Sequence, residues 1–101
     1  MILRMWRAQS TIDKADEYIQ HATTKVFPSL DDIGGHRGAY LLRRTLGNSV
    51  EIVVLTLWES MAALGAFAGA ESNRAVVEPE ARAALTSFDD FVTHFEVIHH
   101  P

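Results

Sequence analysis

The ten residues from Val50 to Glu59 constrain the fold more than any other part of the chain. They are rich in β-branched and aromatic residues and follow the turn-forming Gly47-Asn48-Ser49, which predicts a β-strand. Successive strand side chains point to opposite faces. One face carries Ile52, Val54, Thr56 and Trp58, and the other carries Val53, Leu55 and Leu57. Both faces are apolar, so helices must cover one, and a partner subunit, a ligand or both must cover the other.

Length and composition indicate one globular domain spanning residues 1–101. The chain is 48% hydrophobic and 22% charged, and its net charge of −4 gives no basic surface for nucleic acid. It contains no cysteine, which excludes disulfides and thiolate chemistry. No apolar stretch is long enough to span a bilayer and the N-terminus lacks the core of a signal peptide. We therefore expect a cytoplasmic protein that does not bind membranes.

The hydrophobic pattern predicts the element order β-α-β-β-α-β. A helix capped by Ser10 or Thr11 is expected to end before Pro28, and Ser60 and Gly69 are expected to bound the first part of a broken second helical region. Strands are predicted at 2–8, 39–46, 50–59 and 91–99, and the last helix at 79–86. This order predicts an α+β, ferredoxin-like fold with a four-stranded antiparallel sheet and both helical regions on one face.

The two faces of the sheet can be assigned provisionally from side-chain type. The more uniformly aliphatic face is expected to lie under the helices; it comprises Leu3, Met5, Val53, Leu55 and Leu57, with Phe91, Phe95 and Val97 of the last strand. The opposite face would then be open; it comprises Arg4, Trp6, Ile52, Val54, Thr56, Trp58, His94 and Glu96. The second strand offers Tyr40, Leu42 and Arg44 on one face and Leu41 and Arg43 on the other, and the pattern does not choose between them.

An open face with two tryptophans exceeds the apolar patch that a soluble monomer usually exposes. Two such sheets packed face to face would bury it and enclose a cavity, so we expect a homodimer formed through the open sheet face. The polar groups Arg4, Thr56, His94 and Glu96 would converge in this otherwise apolar space, as in a site for a small apolar or aromatic ligand.

Three segments resemble the antibiotic biosynthesis monooxygenase family of dimeric α+β barrels. They are Arg4-Met5-Trp6, the stretch from Val54 through Ser60 into Ala66-Phe67-Ala68-Gly69, and His94-Phe95-Glu96-Val97. The resemblance covers essentially the whole chain. It implies a dimeric barrel and, as one activity, cofactor-independent oxygenation of a small aromatic or polyketide-like substrate, with no cofactor and no metal.

The resemblance also suggests roles for individual residues. Arg4 would stabilise a substrate anion and His94 would take the proton, which makes them the candidate catalytic pair. Trp6 and Trp58 would hold the ring plane, with Thr56 and Glu96 completing the substrate-binding pocket. Haem-degrading members use an asparagine on the first strand and a histidine in the second helical region. This chain has neither, so haem degradation is not expected.

Other interpretations of the same residues remain open. His94 could be a hydrogen-bonded structural histidine, Arg4 and Glu96 a buried ion pair, and the tryptophans part of the core. The chain could then be a non-catalytic ligand-binding or dimeric structural module. An isomerase or cyclase would need only an acid–base pair such as His94 and Glu96. His21 and His36 have no partners at metal-ligand spacing.

Overall fold

The computed structural model describes residues 1–101, which form one antiparallel sheet with helices on one of its faces. The strands are β1 (Ile2–Thr11), β2 (His36–Leu46), β3 (Ser49–Trp58), β4 (Ser87–Phe88) and β5 (Thr93–Glu96). The helices are α1 (Ile12–His21), α2 (Phe27–Leu30), α3 (Met61–Ala68) and α4 (Pro79–Ala83). A π-helical turn at Ala22–Val26 joins α1 to α2. None of the helices has the length and hydrophobicity needed to cross a membrane.

The predicted fold class is confirmed. The sheet order is β2-β3-β1 with β4 and β5 both pairing with β1, so the first and third strands are central. Gly47, with φ 61°, occupies the first central position of the two-residue β2–β3 turn, where a positive φ suits glycine. The predicted caps also form: Thr11 accepts from the Lys14 amide and Ser60 from the Ala63 amide.

The first helical region continues past the proline that was expected to end it. Pro28 lies within the first two residues of α2, directly after the π-helical turn, and the two residues before it, Val26 and Phe27, keep helical backbone angles. The π-helical turn before it shifts the register, so that the chain can resume helical geometry at Phe27. The prediction that Pro28 ends the helical region was therefore wrong.

The last strand is broken rather than continuous over residues 91–99. Between β4 and β5 the chain leaves β1 and pairs with residues 73–75 instead, through the bonds Ala75 N–H to Asp90 O and Val92 N–H to Asn73 O. We call residues 72–78 the strap; this irregular segment leads into α4. Pairing with the strap explains why the edge strand divides into two short pieces.

The assignment of sheet faces from side-chain type was wrong. The residues that face the helices are the mixed set, including Arg4, Ile52, Thr56 and Trp58, each at most 6% exposed. The strand register places His94 beside Arg4 on this same face and Phe95 beside Leu3 on the other. The grouping of residues by face was correct, but the helices cover the opposite group from the one expected.

The physical reason lies in how closely the helices approach the sheet. Alanines allow close approach at one end, where Ala8 of β1 and Ala15 and Ala22 of the first helical region are almost fully buried in one cluster. At the other end, Trp58, Leu30 and Leu64 form a second cluster. Between these two clusters the helices lie farther from the sheet, which a face of mixed small and large residues allows.

The face away from the helices carries the aliphatic residues. Leu3, Met5, Val53, Leu55 and Leu57 are half-buried within the single chain. The register adds Tyr40, Leu42 and Leu46 of β2 to this face, and they are 56%, 45% and 46% exposed. We call this set, with Phe95, the open face. The register also decides the orientation of the second strand: Leu41 and Arg43 lie on the side of the helices.

Candidate functional site

A cavity of about 100 Å³ lies between the sheet and the helices of the single chain. The sheet contributes Arg4, Trp6, Val54 and Thr56, and the first helical region contributes Tyr18, His21, Phe27 and Leu30. The exposed residues Ser29, Val76 and Glu78 mark its mouth between α2 and the strap. Arg4, Trp6 and Thr56, which were expected to line a cavity between two open faces, instead line a cavity within the single chain, on the helix side.

Arg4 is a buried cation at the wall of this cavity. It is 4% exposed, and burial lowers the pKa of its guanidinium. Its Nη1 donates to the carbonyl of Ser72 and its Nη2 to that of Arg74 at 2.9 Å, so it holds the strap. The Phe67 ring lies 5.6 Å from its Cζ. No carboxylate pairs with Arg4, so the Arg4–Glu96 ion pair considered from the sequence does not form.

His94 lies directly behind Arg4 rather than on the cavity wall. Its Nε2 is 3.2 Å from Arg4 Nη1. A guanidinium can only donate hydrogen bonds, so Nε2 must be the acceptor of a neutral imidazole that carries its proton on Nδ1. Burial, with a smaller contribution from the Arg4 charge, lowers the pKa of His94. The contact orients Arg4 and keeps His94 neutral.

This lowered pKa predicts an acid-dependent loss of stability. The unfolded chain takes up the His94 proton at pH values where the folded chain does not, so stability falls as pH drops below about 6.5. Between about pH 7 and pH 5, wild type should lose more free energy of unfolding than a His94→Gln variant. Urea unfolding at both pH values measures this, with His99→Gln as control. Equal losses of free energy of unfolding in wild type and His94→Gln would contradict a neutral His94 in the folded chain.

Three further side chains give the cavity its polar character. Thr56 accepts the indole N–H of Trp58 at 2.9 Å and donates its own hydroxyl proton to no group in the chain, so that proton remains available. The Tyr18 hydroxyl makes no hydrogen bond within the chain, and burial raises its pKa. Trp6 donates to the carbonyl of Asp89 at 2.8 Å, which fixes its ring against the cavity.

The other two predicted binding residues do not reach the cavity. Trp58 is fully buried beside it, between the edge of His36 at 5.1 Å and the stacked ring of Phe67 at 5.7 Å. Glu96 is exposed and pairs opposite Ile2 at the end of the sheet. Of the six residues singled out from the sequence, the structure therefore brings Arg4, Trp6 and Thr56 together at the wall.

Sequence reasoning considered His21 only as a metal ligand and did not place it at a ligand cavity. This histidine ends α1, immediately before the π-helical turn, and its side chain is 8% exposed at the cavity wall. Neither ring nitrogen makes a hydrogen bond, although Nδ1 lies 3.1 Å from Glu80 Oε2 and Nε2 3.9 Å from Glu78 Oε1. Its Glu partners are 57 and 59 residues away along the chain, so spacing could not reveal them. The only sequence signal for a buried His21 was its position next to Ala22, on the apolar side of the first helical region.

Comparison with known proteins identifies the family. The family model described as antibiotic biosynthesis monooxygenase matches residues 1–79, which include the first three strands, the helices up to α3 and the strap. The matched part contains Arg4, Trp6, His21 and Thr56, whereas His94 lies beyond it. A search of curated protein sequences finds no significant match.

Solved structures share the fold over nearly the whole chain at low sequence identity. A proposed antibiotic biosynthesis monooxygenase from Bacillus cereus has a TM-score of 0.70 at 14% identity, covering 99% of this chain and 95% of its own. The heme-degrader MhuD of Mycobacterium tuberculosis, with two hemes bound in its active site, has a TM-score of 0.63 at 21% identity, covering 100% and 99%.

A third structure is a monooxygenase from the gene ActVA-Orf6 of Streptomyces coelicolor in complex with the ligand Nanaomycin D. Its TM-score is 0.59 at 14% identity, with coverage of 99% of this chain and 91% of that one. At these identities the likenesses show the fold alone. The family match, which spans more than half of the sequence, shows more: the chain belongs to the antibiotic biosynthesis monooxygenase family.

Proposed function

We propose that this chain is a cofactor-independent monooxygenase that binds a small aromatic substrate in the cavity between its sheet and its helices. The observation that carries the proposal is Arg4, a buried guanidinium at the wall of an apolar cavity with no carboxylate partner. A buried charge without a counterion is costly, and an anionic ligand would offset that cost. Two structural neighbours, whose reported ligands are Nanaomycin D and heme, support a ligand-binding role for the fold.

The reaction would depend on making the substrate electron-rich. Removing a proton from an acidic hydroxyl or carbon gives an anion that can pass electrons to oxygen. One oxygen atom then enters the substrate, and the other leaves as water with two hydrogens from the substrate. Arg4 would stabilise the anion through the N–H groups that the strap does not use, and Thr56 and Tyr18 would donate further hydrogen bonds.

The cavity volume limits the size of the substrate. About 100 Å³ is somewhat below the roughly 150 Å³ of an engineered cavity that binds benzene, and below the roughly 300 Å³ of common ligand pockets. A single-ring aromatic would need only a small outward movement of the strap. A multi-ring substrate would need the strap to detach from Arg4.

Haem, which some members of the family degrade, does not suit this set of residues. The second helical region, α3 and α4, contains no histidine, and the histidine that does line the cavity has two carboxylates close to its ring nitrogens. The cavity is also too small for a tetrapyrrole in this conformation. We therefore propose no step that passes through haem.

The second candidate function is a non-catalytic ligand-binding module. It is favoured by the contact of His94 Nε2 with Arg4, which removes the predicted proton acceptor from the cavity wall. An isomerase or cyclase that uses His94 and Glu96 has less support, because neither residue lines the cavity. Oxygen uptake with a panel of hydroxyarenes and anthrones separates these functions. Product without oxygen uptake indicates an isomerase, and binding without product indicates a binding module.

We further infer that two copies pair through their open faces. The open face exposes Tyr40, Leu42, Leu46 and Phe95, each 45–56% accessible in the single chain. Arg7, opposite Val53, and the pair Arg44 and Glu51, joined at 2.7 Å, lie toward one end of this face. The rest of the face, around Leu3, Leu55 and Tyr40, is continuous and apolar. A contiguous surface of this kind is typical of a protein interface.

A further inference from the structure

We propose that His21 is the proton acceptor of the cavity. It would take the proton from an acidic hydroxyl of the bound aromatic, such as a phenol or enol, while Arg4 stabilises the oxyanion that remains. The O–H bond of the ligand breaks, an N–H bond forms on the imidazole, and no electrons are transferred in this step. The inference rests on the proposed ligand site but adds the residue that ionises the ligand, which sequence reasoning had assigned to His94.

The first argument is that His21 is buried without using the hydrogen-bonding capacity of its Nε2. Its side chain is 8% exposed, and Nε2 has no hydrogen-bond partner, since the nearest carboxylate oxygen, Glu78 Oε1, lies 3.9 Å away. Buried polar atoms are normally paired, so the unpaired Nε2 requires an explanation. A ligand hydroxyl in the adjoining cavity would supply the missing partner. His94, by contrast, already has its Nε2 engaged by Arg4.

The second argument is that two carboxylates lie beside the His21 ring and can orient it. Glu80 Oε2 lies 3.1 Å from Nδ1, and Glu78 Oε1 lies 3.9 Å from Nε2. Lys25 bonds the same Glu80 oxygen at 3.1 Å and holds that carboxylate in place. A carboxylate facing the second nitrogen of a histidine is the arrangement by which a histidine base is oriented toward its substrate.

The third argument is the position of Arg4, whose positive charge would stabilise the oxyanion of the ligand. Arg4 on β1 lines the same cavity, and Tyr18 lies one turn before His21 on α1. Transfer of the ligand proton would place the oxyanion between the Arg4 guanidinium and the His21 imidazolium. Without this anion the two positive charges would repel each other. The π-helical turn that follows His21 fits this role, since such turns are frequent at functional sites.

The experiment uses 4-cyanophenol, whose phenol and phenolate forms differ in ultraviolet absorbance. Equilibrium dialysis measures binding, and difference spectra measure the ionised fraction of bound probe, in a neutral buffer in which the free probe is largely protonated and a free imidazole is largely neutral. Wild type should bind the probe largely as phenolate. His21→Gln should reduce the bound phenolate-to-phenol ratio by about tenfold or more, since a close charged partner shifts a pKa by one to three units. The matched control is His36→Gln, which replaces a buried histidine outside the cavity.

Nitrogen-15 NMR of the imidazoles in wild type gives a second measurement that does not depend on a variant folding. His21 should change from the neutral to the cationic pattern when the probe binds. If the probe binds but His21 stays neutral, or His21→Gln leaves the ratio unchanged, the proton-acceptor role is overturned while the ligand site survives. If wild type does not bind the probe, the ligand site and the role of His21 both fail.

Discussion

Replacing Arg4 by glutamine is expected to lower kcat/KM for an anion-forming substrate by about a hundred- to a thousandfold, the usual cost of removing one donor from an oxyanion site. The buried guanidinium is the one full positive charge on the cavity wall. Glutamine keeps polar donors there but removes the charge that would stabilise the oxyanion. Steady-state kinetics on the hydroxyarene that wild type turns over best measures the effect.

A control is needed because Arg4 also holds the strap through the carbonyls of Ser72 and Arg74. A structural role predicts equal loss of affinity for charged and neutral ligands. An electrostatic role predicts that Arg4→Gln weakens 4-nitrophenolate much more than nitrobenzene, its neutral analogue. Arg4→Lys, which retains the charge but cannot reach both carbonyls, should preserve more of this preference than Arg4→Gln. Parallel losses for both ligands would show that Arg4 is a strap anchor only.

Placing a charge at the centre of the open face is expected to abolish the proposed dimer. Leu55 lies on β3 between Met5 of β1 and Tyr40 of β2, at the middle of the open face. In a two-fold interface Leu55→Glu would bury two carboxylates close together, at a cost of several kcal/mol, which raises the dissociation constant by about a thousandfold or more. Light scattering should give a mass near 11.2 kDa for the variant and twice that for wild type.

The matched control is Gln20→Glu, which adds the same charge to the exposed surface of α1. It should leave the dimer intact. A wild-type mass of 11.2 kDa at micromolar concentration would remove the inferred interface altogether. An unchanged dimer in the Leu55→Glu variant would show that the subunits meet elsewhere.

The element order could be predicted from the sequence because its signals are local. Gly47 fixes the central hairpin, and Thr11 and Ser60 mark helix starts through their hydroxyl groups. The alternation in β3 correctly separated the two faces of the sheet. The prediction that the helical region ends before Pro28 was wrong because the effect of a proline depends on its position in the helix. The π-helical turn that sets this position is not visible in the pattern of apolar residues.

The orientation of the sheet could not be predicted, because both faces are apolar and the decision depends on shape. The aliphatic face was expected to hold the helices, yet a mixed face suits helices that enclose a cavity. Arg4, singled out from the sequence, lies on the cavity wall, but the sequence does not reveal that its partners are backbone carbonyls of the strap. The proximity of His21 to Glu78 and Glu80 likewise arises only when α4 packs on the first helical region.

The most direct test of the proposed activity is oxygen uptake with the cavity open and with the cavity filled. Val54 lines the cavity from β3, and Val54→Phe adds bulk there without changing charge. Purified wild type should consume one oxygen molecule per product formed from an anion-forming aromatic of the panel. Val54→Phe should remain folded by circular dichroism and lose this uptake. Uptake that persists in Val54→Phe, or turnover by wild type that consumes no oxygen, would contradict oxygenation in this cavity.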